Sequence, residues 1–230
     1  MATTFEGFSP ELFQFLYELS ENNVKSWWHA NKPRYERVVR GPALDFVAAF
    51  GERIHEISPH YTAVAKKSGG SMMRPFRDTR FSKDKTPYKT NLGLHFRHVA
   101  GKNVHAPGLY LHIDPDRVFL GAGMWHPESA VLKEVRRRID AEPRAWLAAR
   151  DDAAFAAAWE LGGESLKRPP RGWAKEHPLV EDLKRKDHIA MHELTIDDVL
   201  DIGFLDDVLV AFKSAVPYLR FLTEATGHPF

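Results

Sequence analysis

The sequence contains no cysteine, which excludes disulfides, thiolate nucleophiles and every cysteine-ligated zinc or iron–sulfur centre. It has no apolar run near the roughly 18 residues that a membrane helix needs. Net charge is also nearly absent: 32 basic and 31 acidic residues leave +1. The whole-molecule field therefore favours neither nucleic acid nor an anionic membrane, and any such preference must come from a local patch. The amino-terminal stretch MATTFEGFSPELF carries Glu6 and Glu11 and lacks the basic start and apolar run of a signal peptide. The expectation is a cytoplasmic protein with no membrane partner. Also missing are a Gly-x-x-x-x-Gly-Lys-Ser/Thr loop, a dinucleotide-binding glycine fingerprint, a Gly-x-Ser-x-Gly elbow and a His-Glu-x-x-His helix. No cofactor is expected on these grounds.

What is present suffices for a full core. The 230 residues are 43% hydrophobic, which suits a single domain spanning residues 1–230. The first third reads as helical. Ser9-Pro10-Glu11 is a helix start, with Ser9 as side-chain cap, and Leu12, Phe13, Leu16 and Leu19 follow at helical spacing. Asn22 or Asn23 is placed to cap a second helix through Trp27 and Trp28, which Pro33 bends or restarts. Pro42 opens a third with Val47, Phe50, Ile54 and Ile57 on one face.

The period then changes to two. Leu92, Leu94 and Phe96 alternate with Gly93 and His95, and Leu109, Leu111 and Ile113 alternate with Tyr110 and His112. Val118–Met124 is a third strand, with Gly121 and Gly123 marking a bend or close approach. Ser71–Phe76 is a candidate fourth. Helices return from His126-Pro127-Glu128, around Trp146, over 151–159, after a Thr195 cap, and over 204–223 with a kink near Pro217. The stretch LKRPPRGWAKEHP is a proline-rich loop. Its Lys167, Arg168 and Arg171 read as an exposed crossing rather than a second anion contact. Strands without intervening helices favour an antiparallel sheet. The expected fold is α+β, the sheet packed against helices from the amino- and carboxy-terminal thirds.

The segment RDTRFSKDKTPYKTN, residues 77–91, concentrates Arg77, Arg80, Lys83, Lys85 and Lys89 against only Asp78 and Asp84. Like charges so close together repel unless an anion or solvent screens them. Arginines can grip an anionic oxygen pair with two parallel N–H bonds, while lysines act as point charges. Ser82, Thr86 and Thr90 add hydroxyls, Phe81 and Tyr88 are expected to anchor the loop, and Pro87 stiffens it. Asp78 is the favoured general base if the site is catalytic. Tyr88, His112 and Trp125 are the expected pocket residues, Trp125 as a stacking surface. The plainer alternative makes Trp125 a core residue beside tight turns.

NNVKSWWHANKPRYERVV, then RDTRFSKDKTPYKTN, then PGLYLHI with GAGMWHP, and finally LKRPPRGW with HPLVEDLKRK resemble a bacterial family of conserved hypothetical proteins, the domain of unknown function 2461. The resemblance covers nearly the whole chain. It implies a single α+β domain and transfers no catalytic residue.

Three functional readings follow. The first is an anion or phosphate site on loop 77–91 for a nucleotide, a phosphometabolite or a nucleic-acid backbone. The second is a non-enzymatic module whose loop docks an acidic protein or nucleic acid. The third, more remote, is a metal-dependent oxygenase using His112 and Asp114 with His177 or His188 as a distant ligand. His95 and His98, three apart on a strand, face opposite ways and make a poor ligand pair.

Overall fold

The computed structural model describes residues 5–101 and 106–230. Helices α1 (Pro10–Glu21), α2 (Lys25–Tyr35) and α3 (Gly41–Arg53) form the amino-terminal third. Pro10 and Pro42 sit in the first turns of α1 and α3, where a missing N–H costs nothing. Ser9 does not cap α1 with its side chain. Pro33 lies inside α2, and a π-helical turn (Glu36–Arg40) takes up the irregularity before α3 begins.

The strands are β1 (Tyr61–Thr62), β2 (Leu92–His98), β3 (Gly108–Ile113), β4 (Val118–Met124), β5 (Glu160–Gly162) and β6 (His188–Leu194). They form one antiparallel sheet in the order β1-β2-β3-β4-β6-β5. Between β4 and β5 lie α4 (Ser129–Ala141), α5 (Pro143–Arg150) and α6 (Ala153–Ala158). A short α7 (Val180–Leu183) precedes β6, and α8 (Ile196–Leu200), α9 (Phe204–Ser214) and α10 (Val216–Ala225) close the described chain. Thr195 does cap α8, in a reciprocal box with Asp198. The long closing helix expected over 204–223 is two helices, and Pro217 starts the second.

Ser71–Phe76 is not a strand. It touches the edge of β2 by one bridge, Met72 to Leu94, and Phe76 bridges Tyr88. The α+β architecture is as expected, with β1, β5 and β6 as strands the sequence did not announce.

Pairing fixes two faces. Leu92, Leu94, Phe96, Leu109, Leu111, Ile113, Leu120 and Ala122 share the inner one. They are buried in a single apolar cluster that also holds Leu12, Phe46 and Phe50 from the start of the chain and Phe212, Leu219 and Leu222 from its end. The outer face carries Gly93, His95, Tyr110, His112, Phe119, Gly121 and Met191. Its larger side chains stay half-exposed. Among the described residues no helix is long and apolar enough to cross a membrane.

Candidate ligand site at the loop neck and the open sheet face

Loop 77–91 leaves the sheet edge through a narrow neck. Arg77 N–H donates to the Pro87 carbonyl at 3.0 Å, and Lys89 N–H to the Pro75 carbonyl at 2.7 Å. Asn23 clamps the neck from the helical side. Its amide donates to the Tyr88 carbonyl at 3.0 Å and its oxygen accepts the Tyr88 N–H at 3.1 Å. Asn23 therefore serves the loop and not the start of α2, whose flanking residue is Val24. The Tyr88 ring stacks on Trp28 with centroids 4.4 Å apart. Tyr88 is thus a buried anchor.

Beyond the neck the charges largely satisfy one another. Arg80 closes a two-pronged contact on Asp78, at 3.0 and 2.7 Å. Arg77 pairs with Asp84 and donates to Thr86 at 2.8 Å. Lys85 donates to the Thr79 carbonyl at 2.8 Å. The Arg80 side chain and backbone N–H, with the Arg74 charge as a smaller cause, hold the Asp78 carboxyl below its ordinary value. The Thr86 backbone N–H is the first cause of the same shift at Asp84. A carboxylate held this way is a weak base, which counts against Asp78 as the proton acceptor. Phe81 is no anchor: it is 94% exposed, with the Arg80 guanidinium 5.8 Å from its ring. Lys83 lies exposed on the same tip.

The neck behaves differently. Lys89 is half-buried, and burial followed by the neighbouring Arg74 charge lowers its ammonium pKa. Lys89 makes no ion pair among the described residues, whereas the Arg74 charge acts on Asp78 without closing a direct contact. Lys89 lines a narrow cleft with Asn91, Met73 and Pro75, walled by Leu16 and Tyr35.

Asn91 links this cleft to the outer sheet face. Its amide lies 3.3 Å from His112 Nδ1, which the Tyr110 hydroxyl also approaches at 3.1 Å. An amide N–H can only donate, so Nδ1 carries the lone pair and Nε2 the proton. Burial lowers the His112 pKa, partly offset by Asp114. It raises that of Tyr110 to about 12. His112 stacks on Phe119 at 4.7 Å, and Arg117 covers that ring from 4.7 Å.

The sites named from sequence do not all converge. Lys89 is at the neck, His112 is reached through Asn91, and Arg77, Arg80, Lys83 and Lys85 belong to the tip. Trp125 follows the far end of β4, is 67% exposed and packs on His126 at 4.6 Å. It is therefore not a core residue. The histidine–carboxylate metal set is not assembled: Asp114 lies in the turn after β3, while His188 is fully buried on the inner face. His177 bonds Asp140 at 3.0 Å. No group of three or more candidate ligands occurs among the described residues. Asn91, Tyr110 and Arg74 were not assigned to the site from the sequence, and His95 was weighed there only as a metal ligand and set aside. The usable signal was glycine at outward strand positions, of which Gly93 faces the Tyr110 ring and Gly108 the His95 ring.

Residues 11–221 match the family model described as conserved hypothetical protein, DUF2461. The chain belongs to that family. No curated protein and no solved structure matches it. In this DUF2461 protein the resemblance read from the loop and strand motifs is thus shown over most of the chain, and the site must be judged on its own chemistry.

Proposed function

We propose that this protein binds a small phosphorylated ligand at the loop neck, with Lys89 and Arg74 as the anion-recognising cations. The observation that carries the reading is the half-buried Lys89, whose backbone N–H donates to Pro75 beside Arg74, and whose ammonium feels the Arg74 charge and makes no ion pair among the described residues. Two like charges held together, one of them partly desolvated, are stabilised by a shared anion. The tip arginines are weaker candidates, since their own aspartates occupy them. If the ligand is also transformed, Tyr110 and His112 are the groups beside it that exchange protons.

Thermal unfolding with phosphate, phosphosugars and nucleotides tests this. A ligand at about a hundred times its dissociation constant stabilises by roughly 2.7 kcal/mol, or about 5–10 °C for a domain of this size. The shift should vanish in Lys89→Ala and persist in Arg80→Ala. No shift with any of these anions would overturn the reading.

The exposed Phe81 supports a second reading, in which the tip docks a polyanionic partner. That reading requires steep salt dependence, little affinity for small anions and loss of binding in Phe81→Ala.

A further inference from the structure

The outer sheet face adds a feature that anion binding does not use. A Cβ on Gly93 would lie 2.7 Å from the Tyr110 hydroxyl oxygen, and one on Gly121 would lie 3.5 Å from Tyr110 Cβ. The outer end of the Tyr110 ring therefore lies over Gly93, which has no side chain, while Gly121 is its direct cross-strand partner. His95 does the same over Gly108, where a Cβ would meet Nε2 at 2.6 Å. Both rings are partly exposed. The nearest rings to Tyr110 are tilted by 51° and 57°, at 5.9 and 6.0 Å, so no ring stacks on it among the described residues. Tyr88, by contrast, is covered by Trp28 at an interplanar angle of 15°.

This open ring adjoins the cationic cleft. Met73 lines the cleft, and its sulfur lies 3.1 Å from the same Cβ position on Gly93. Asn91 lines the cleft and bonds His112. A flat apolar surface beside two cations fits a ligand that has both a planar ring and a phosphate.

We infer that the ligand is a nucleotide unit, with its phosphate at Lys89 and Arg74 and its base stacked on Tyr110. This rests on the anion reading above and adds the base to it. A free nucleotide and a single strand share the chemistry, and the test separates them.

Titrations would use inorganic phosphate, ribose 5-phosphate, adenosine and uridine monophosphates, and a ten-nucleotide single strand. The mononucleotides should bind about tenfold or more tighter than ribose 5-phosphate. Tyr110→Leu should remove that excess and leave ribose 5-phosphate binding intact, while Tyr110→Phe should retain it. Lys89→Ala should weaken every phosphate compound. Gly93→Ala pushes the ring aside without deleting it, and carries the test should Tyr110→Leu fail to fold. A strand binding tighter than the monomers supports the inference with nucleic acid as the source, and equal affinities support it with a free nucleotide. Nucleotides no tighter than ribose 5-phosphate would overturn the inference and leave the anion reading standing. Failure of every phosphate compound would remove both.

Discussion

His188 on β6 and His112 on β3 belong to the same sheet and point to opposite faces of it. His188 is wholly buried, with no hydrogen-bond partner for either ring nitrogen among the described residues. Burial pushes its pKa down to about 3. His112 is half-buried, hydrogen-bonded and stacked, and its pKa is lowered for the same first cause. One residue type thus serves as a neutral core filler on the closed face and as a polar group within reach of solvent on the open one. Composition of a strand does not say which. The layer packed against it does.

That contrast is open to three tests. The largest effect is expected from packing. Phe96 is fully buried on the inner face, so Phe96→Ala should cost about 3–5 kcal/mol in equilibrium denaturation. Phe119→Ala, on the outer face, should cost less than about 2 kcal/mol. Equal losses would mean that the outer face is as closed as the inner.

Glycines sharpen the comparison next. Gly123 has φ +121, and a Cβ there would lie 2.0 Å from the His188 carbonyl oxygen, a backbone atom that cannot step aside. Gly123→Ala should cost about 3 kcal/mol. Gly93→Ala meets the Tyr110 ring end and the Met73 sulfur, both side chains that can move, and should cost about 1 kcal/mol. The reverse order would break the picture of rings resting freely on the outer face.

The smallest effect is a pH dependence. A histidine of ordinary pKa near 6.5 when unfolded and about 3 when folded contributes fully above pH 6.5, and its contribution is lost as pH falls toward 3. Against His188→Leu, the parent should lose about 1–2 kcal/mol more stability between pH 6.5 and 5. Parallel stability curves would show that His188 is not held neutral.

The sequence announced α1, α3 and the β2–β4 meander because their apolar positions repeat at clean periods. It concealed β6. There the inward positions are His188, Ala190, His192 and Leu194, so alternation in hydrophobicity is nearly absent, although the strand pairs with β4 along its whole length. The Ser71–Phe76 stretch shows the converse, a strand-like segment with Met72, Met73 and Phe76 that only brushes a sheet edge. For the site, the charge count of loop 77–91 was visible and the pairing was not. Asp78 and Asp84 turn back on arginines of their own loop, which follows from backbone geometry rather than from spacing. Lys89 was one of five equals in sequence and stands apart, as the half-buried lysine of the loop, only once the neck is formed.

The strand order also sets a schedule. β2, β3 and β4 follow one another along the chain and pair with their immediate successors, whereas β6 reaches β4 only after α4 through α7 have been strung between them. Closing that longer circuit costs more chain entropy and belongs late in folding. Tyr110, His112 and Phe119 all sit on the early meander. Their platform can therefore be in place before the sheet is complete, and variants in β6 should alter how long the fold persists more than how quickly the platform first appears.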